Sequence, residues 1–223
     1  MSGFLNKRLS GLAPYVPGEQ PRDMEYVKLN TNESPFPPAP GVLRAVNYGE
    51  IKRLNLYPDP TCGEIKKKLA ERYNKAPENI FVSNGSDDIL NFAFLAYGSG
   101  GVVFPEISYG FYKVYANFHG LEYIALPLRE DFTIKSEDYS STGKMVVLAN
   151  PNAPTGIFLG LSEIEKIVAS NPGSVVLIDE AYVDFGGESA SSLTEKYGNL
   201  LVVQTFSKSR ALAGGRLGFA VGH

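Results

Sequence analysis

The amino-acid sequence predicts an α/β protein built on a mostly parallel sheet. Three observations lead there. Short apolar runs alternate with helix-period segments of 10 to 13 residues, the pattern of strands joined by crossover helices. The runs are apolar on both faces, as strands covered from both sides must be. Polar residues gather instead where the runs end, the edge at which open α/β sheets bind ligands.

The elements follow in order. After "LYPDP", residues Thr61, Cys62, Gly63 and Glu64 fit a capping box, and Ile65, Leu69 and Tyr73 recur at helical spacing. "NIFVS" (79–83) reads as a strand and "SDDILNFAFLAYG" (86–98) as a helix. "GGVVFP" (100–105) is a second strand and "YGFYKVYANFHG" (109–120) a second crossover helix. "LEYIALP", "KMVVLAN" and "SVVLIDE" are strand-like, with the helix "LSEIEKIVAS" (161–170) between the last two, and "NLLVVQTF" (199–206) closes the series. Residues 1 to about 47 differ: "PYVPGEQP" and "NTNESPFPPAPG" read as an extended arm with turns, because proline fixes φ and removes a donor. Leu12, Tyr15, Val16, Val27 and Leu29 give that arm apolar surface to bury.

Composition narrows the function. The 223 residues, 43% of them apolar, suffice for one large domain with a real core. A net charge of −3, with signs mixed along the chain, argues against nucleic-acid or membrane-surface partners, which need a basic face. The Lys66-Lys67-Lys68 run reads as the solvated face of a helix. A single cysteine, Cys62, leaves no internal disulfide or thiol-rich metal site. Two histidines, His119 and His223, are too few for a histidine metal cluster. No apolar stretch follows Lys7 and Arg8 as a signal peptide requires, and none approaches the roughly 20 residues of a membrane span. The chain therefore reads as soluble and cytoplasmic, without a metal.

Five strand ends deliver polar residues to one sheet edge. The first, "SNGSDD", opens a helix. Free N–H groups and the helix dipole suit an anion there, with Gly85 allowing close approach beside Ser86 and Asp87; a plain N-cap by Ser86 is the simpler alternative. Tyr109 follows the second strand, and "NPNAPTG" (150–156) follows "MVVLA". Asp179 comes straight after four apolar residues, where a carboxylate is costly without a cationic or donor partner. Such an Asp could hold magnesium, but no P-loop accompanies it: "STGKM" (141–145) and "GSGG" (98–101) precede their strands instead of following them. A protonated ring nitrogen would serve Asp179 as partner, with Tyr182 within reach of a neighbouring ring substituent. Thr205, Ser207 and Lys208 end the last strand, and Arg216 joins them for the anion. A partly desolvated lysine near an arginine loses pKa and can form a Schiff base. An anion cradle, a buried Asp, an aromatic rim residue and a lysine together describe a pyridoxal 5'-phosphate site.

These residues resemble, along essentially the whole chain, the fold-type I, class II pyridoxal-phosphate-dependent aminotransferases, and within them the histidinol-phosphate aminotransferases. The motifs are "LAPYVPGE", "LNTNESPFPP", "YPDP", "SNGSDDIL", "PNAPTG", "IDEAYVDF" and "TFSKSRALAGGRLGFAVG". The resemblance implies a three-layer large domain over 48–223, with 1–47 as N-terminal arm and part of an incomplete small domain. It implies that Lys208 bonds the cofactor and moves the substrate proton, that Asp179 pairs with the ring nitrogen, and that Tyr182 contacts the ring hydroxyl. Tyr109 stacks on the ring. Gly85, Ser86, Asp87, Ser207 and Arg216 hold the phosphate, with Thr205 as helper. Tyr57 reaches the partner subunit's cofactor in a homodimer with shared sites, and Tyr15 and Asn32 serve the substrate. The implied reaction is histidinol-phosphate:2-oxoglutarate transamination in histidine biosynthesis. Aromatic or other amino-acid aminotransferases, threonine-phosphate decarboxylases and an inactive truncated fragment are the alternatives. Two departures stand out. Ala153 occupies a position where the family carries asparagine, leaving Asn152 or Tyr182 alone to make that contact. Family members also continue well over a hundred residues further, into the part that would grip the substrate carboxylate, so the chain reads as an N-terminal portion.

Overall fold

The computed structural model describes residues 9, 23–24, 27–46 and 51–223. Among them a seven-stranded sheet carries the fold. Its strands are β1 (Ile80–Asn84), β2 (Val102–Pro105), β3 (Tyr123–Leu126), β4 (Met145–Ala149), β5 (Val176–Asp179), β6 (Leu200–Thr205) and β7 (Leu217–Val221). They lie in the order β1-β7-β6-β5-β4-β2-β3. β3, β2, β4, β5 and β6 pair in parallel, whereas β7 runs antiparallel to both β6 and β1.

The parallel core agrees with the alternating pattern, but β7 lies beyond the last strand read from the sequence. The segment "LGFAV" follows β6 after only a short connection and opens among glycines, so it carries no strand-length apolar run of its own. Antiparallel pairing makes that short return possible, since parallel neighbours need a crossover of a dozen or more residues.

The helices are α1 (Pro40–Ala45), α2 (Gly63–Tyr73), α3 (Ser86–Tyr97), α4 (Phe111–His119) and α5 (Leu161–Ser170). Side-chain alternation along the strands sends Val147, Leu177 and Val203 to one face, where α3 and α4 bury Leu90, Phe94, Tyr112 and Ala116 against them. Val146, Ile178 and Val202 face the other way, onto Ile164 and Ile167 of α5. On that same side, α2 packs Leu69 and Ala70 onto Ile80, Phe219 and Val221. The result is three layers with the sheet in the middle. Each fully buried aliphatic chain contributes about 1.5–3 kcal/mol.

Two local expectations fail. α2 begins where the capping box was read, but Thr61 does not cap it. The Asp59 carboxylate accepts from Thr61 N–H (2.9 Å), Thr61 Oγ1 (2.7 Å) and Gly63 N–H (2.7 Å), so an Asp two residues earlier takes the task. The arm's described apolar residues are also not buried: Val27 and Leu29 are each 87% exposed. Leu12, Tyr15 and Val16 lie outside the described residues. Among the described residues, no helix is long and apolar enough to cross a membrane.

Candidate active site

All the parallel strands end at one edge, and β1 points the same way because β7 reverses between it and β6. β7 therefore starts at that edge and brings Arg216 beside the turn after β1. A cavity of about 380 Å³ opens there. Its floor is formed by Asp179 and Thr205, its rim by Tyr109, Tyr182 and Lys208, and one end by Ser86, Ser207 and Arg216.

The anion end is built from backbone. Gly85 is the N-cap of α3, at φ 86°, and no side chain caps the helix, so its first N–H groups stay free for a ligand. Ser86 is thus the first helical residue and not the cap. At Gly85 the positive φ already disfavours a side chain, and a Cβ would stand 2.5 Å from Nη2 of Arg216 and displace that guanidinium. Gly218 is tighter still, since a Cβ there would lie 2.4 Å from both Gly85 C and Ser86 N. Gly218→Ala must push the α3 turn away from its place. We expect a loss of about 1–3 kcal/mol in stability, as for other overpacked sites, and at least tenfold weaker binding of inorganic phosphate, measured by melting and calorimetry.

Asp87 sits in the first turn of α3. Its Oδ1 accepts from the hydroxyls of Tyr109 (2.9 Å) and Tyr115 (3.2 Å), and its Oδ2 lies 3.7 Å from Nη2 of Arg216. Asp87 thus fixes the ring of Tyr109 against the cavity and steadies the arginine. Thr205 Oγ1 accepts from the Ser207 N–H at 3.1 Å, shaping the turn that presents Ser207 and Lys208.

Asp179 is 4% exposed. Oδ2 accepts from the Tyr112 hydroxyl at 2.8 Å, and Oδ1 accepts from the Ala181 N–H at 3.2 Å. Burial raises its pKa to about 6, against the pull of both donors. Tyr112 is pushed up by its own burial and by the carboxylate, which keeps it a donor. Lys208 shifts down, chiefly through desolvation, with Asp87 and Glu33 opposing and Arg216 assisting. Its Nζ donates to the Thr31 carbonyl at 2.9 Å and lies 5.9 Å from the centre of the Tyr182 ring.

Most of the predicted residues that the structure describes meet in this cavity, and Asn152 and Tyr57 stand apart from it. Asn152 is near but committed elsewhere. Its Oδ1 accepts from Ser108 Oγ (2.8 Å), and its Nδ2 donates to the Ile107 carbonyl and to Thr155 Oγ1, both at 3.0 Å. Those bonds hold the 150–156 loop and leave Ala153 lining the cavity, with Tyr182 on the same rim. Tyr57 is wholly exposed. Tyr15 lies outside the described residues. Asn32 reaches the rim, where its Nδ2 donates to the Tyr182 hydroxyl at 2.9 Å. The sequence reading missed Thr31, Glu33 and Tyr112. Tyr112 could have been found as the residue one helical turn beyond Tyr109, whereas Thr31 acts through its carbonyl and carries no side-chain signal.

Comparison with known proteins gives the chain a family and a fold. The family described as aminotransferase class I and II matches residues 24–223. A histidinol-phosphate aminotransferase of Brachyspira hyodysenteriae is 51% identical over all of this chain and 64% of its own length. One from a Marinomonas species is 52% identical at the same coverage. The chain thus spans 64% of the length of these relatives. The structure of a Sinorhizobium meliloti histidinol-phosphate aminotransferase in complex with pyridoxal-5'-phosphate superposes with a TM-score of 0.78 at 26% identity, covering 86% of this chain and 55% of that one. The three-layer fold is that of the fold-type I aminotransferases, and the chain belongs to the class I and II aminotransferase family.

Proposed function

We propose that the protein is a pyridoxal-phosphate-dependent aminotransferase acting on histidinol phosphate and 2-oxoglutarate, in histidine biosynthesis. One observation carries the reading: a lysine of lowered pKa and a buried carboxylate share a cavity whose far end is an uncapped helix N-terminus with an arginine beside it. The residues fit the cofactor at each of its parts. The first N–H groups of α3, at Ser86 and Asp87, together with Ser207 and Arg216 suit its phosphate, with Thr205 supporting Ser207. Asp179 suits a protonated ring nitrogen, Tyr182 the ring hydroxyl, and Tyr109 the ring face.

Bound there, pyridoxal phosphate supplies an electrophilic carbon for amines and a ring that draws off electron density. Asp179 would hold a proton on the ring nitrogen, and burial would strengthen that attraction. Lys208, whose pKa desolvation lowers, would be the nucleophile that anchors the cofactor. With the cofactor and substrate in place, Nζ of Lys208 would take and return the proton at the substrate carbon bearing the amine. Asn32 keeps the Tyr182 hydroxyl oriented and, with Tyr15, meets the substrate.

We further propose a cytoplasmic homodimer in which the exposed Tyr57 serves the partner's site. Residues 1–47 would form the arm and part of the small domain, and 48–223 the large domain. The names of the relatives support the choice of substrate. Adding pyridoxal phosphate should turn the protein yellow, and borohydride should fix the label to Lys208 alone. Histidinol phosphate should then be a better amino donor than aromatic amino acids or phosphothreonine. No colour, or a label on another lysine, would sink the cofactor reading; preference for another donor would change the substrate.

A further inference from the structure

β5 ends in two successive buried carboxylates that point to opposite faces. Asp179 enters the cavity; Glu180, 1% exposed, lies beneath it on the α2 side. Glu180 accepts from Ser189 Oγ (2.6 Å), the Ala190 N–H (2.6 Å) and Gln204 Nε2 (2.8 Å). Because these partners donate, the amide of Gln204 has one orientation: Nε2 toward Glu180 and Oε1 away from it. That Oε1 accepts from the Tyr73 hydroxyl at 2.5 Å and from Nη2 of Arg210 at 2.8 Å.

Arg210 is two residues past Lys208 and does not line the cavity. Its Nε pairs with Asp184 at 3.0 Å, and its guanidinium lies 4.9 Å from the ring centre of Phe206 and 5.4 Å from that of Phe219. Ser209 Oγ donates to the same Asp184 carboxylate at 2.5 Å. On the other side of the lysine, Ser207 is tied to Thr205. Both flanks of Lys208 are anchored, and the anchors lead back through Gln204 and Glu180 to the strand that carries Asp179.

We propose that Arg210 is a positioning residue that fixes where Lys208 stands relative to Asp179, by tying the lysine's turn to β5. The planar fork matters as much as the charge, since it answers Asp184 and Gln204 in two directions at once. The significance of this position rests on Lys208 being the cofactor's lysine. The tether itself is a property of the protein alone and can be tested without cofactor.

The test follows acylation of Lys208 by acetic anhydride against pH in the full chain, read by peptide mass spectrometry beside the exposed Lys67. The midpoint is compared, so differences in access cancel. Asp87, Glu33, Asp179 and Arg216 face the amine and stay unchanged in every variant. A slackened turn lets the amine reach water. Arg210→Gln should therefore raise the midpoint by about one unit, so that acylation at pH 8 falls about tenfold. Arg210→Lys should recover part of the shift, and Asp184→Asn should move the midpoint the same way by less. An unchanged midpoint in Arg210→Gln, with only a lower melting temperature, would overturn the proposal. If that variant does not fold, an unchanged midpoint in Asp184→Asn overturns it equally. Failure of the wild-type chain to take up pyridoxal phosphate would instead count against the aminotransferase reading, while the acylation midpoints would still judge Arg210.

Discussion

Lys208→Ala is expected to abolish covalent capture of pyridoxal phosphate and to lower amino transfer by about a thousandfold or more. Two losses coincide in one atom. The nucleophile disappears, and so does the group that carries the substrate proton, a role worth about 10²–10⁴ by itself. Among the described residues lining the cavity, no other amine can take over. Lys208→Arg should fail as well, because its guanidinium keeps its proton at any working pH. Neither change should weaken the fold, since the wild-type amine sits partly desolvated with one carbonyl partner. The measurements are the mass of the borohydride-fixed adduct, the rate with amino donor, and the melting temperature. Activity within tenfold of wild type in the alanine variant would refute the assignment.

Asp179→Asn should do something less intuitive: destroy function and strengthen the empty fold. The folded pKa of Asp179, about 6, lies above its ordinary 3.8. Between those values the folded chain holds the proton more tightly than the unfolded one. Its contribution to stability is therefore favourable at low pH and is lost as pH rises through that window. Above pH 6 the buried charge costs up to about 3 kcal/mol. Asparagine carries no such cost. It can still accept from the Ala181 N–H, while its amide donates to the Tyr112 oxygen. Urea unfolding without cofactor should show the variant more stable than wild type at pH 7.5 and nearly equal at pH 4. Glu180, raised by burial from 4.5 to about 7, adds a second decline in both proteins. With cofactor present, turnover should fall about a hundredfold or more, as when other preorganised charges are removed. Unchanged turnover would refute the role at the ring nitrogen, and equal stability at both pH values would refute the cost of burial.

How far the site could be read from the sequence differs residue by residue. Asp179 and Lys208 were legible because an apolar run followed by a charge marks a strand end, and strand ends in this fold share an edge. Arg216 was picked out for its chemistry, but the strand that delivers it was not seen, since five residues opening among glycines look like loop. For Asn152, sequence says which amide occupies the loop, not which way it turns, and three hydrogen bonds commit its side chain to Ser108, Ile107 and Thr155. The capping box failed similarly: Thr61 was available to cap, but Asp59 offered three acceptor contacts and won. The network around Arg210 is invisible in sequence because its members come from α2, β5, β6 and two loops. Only the packed sheet brings them together.

The reversed strand β7 has a consequence for how the protein comes into being. Among the described residues β1 has β7 as its one neighbour in the sheet, and β7 follows β2 through β6 in the chain. The nearby helices α2 and α3 also touch β1, but its sheet pairing joins segments far apart in the chain. Such long-range closure is slow and leaves unpaired edges exposed in the meantime. The pairing of β7 with β1 is what sets the N-terminus of α3 beside Arg216, so the phosphate end of the site depends on a contact between distant parts of the chain.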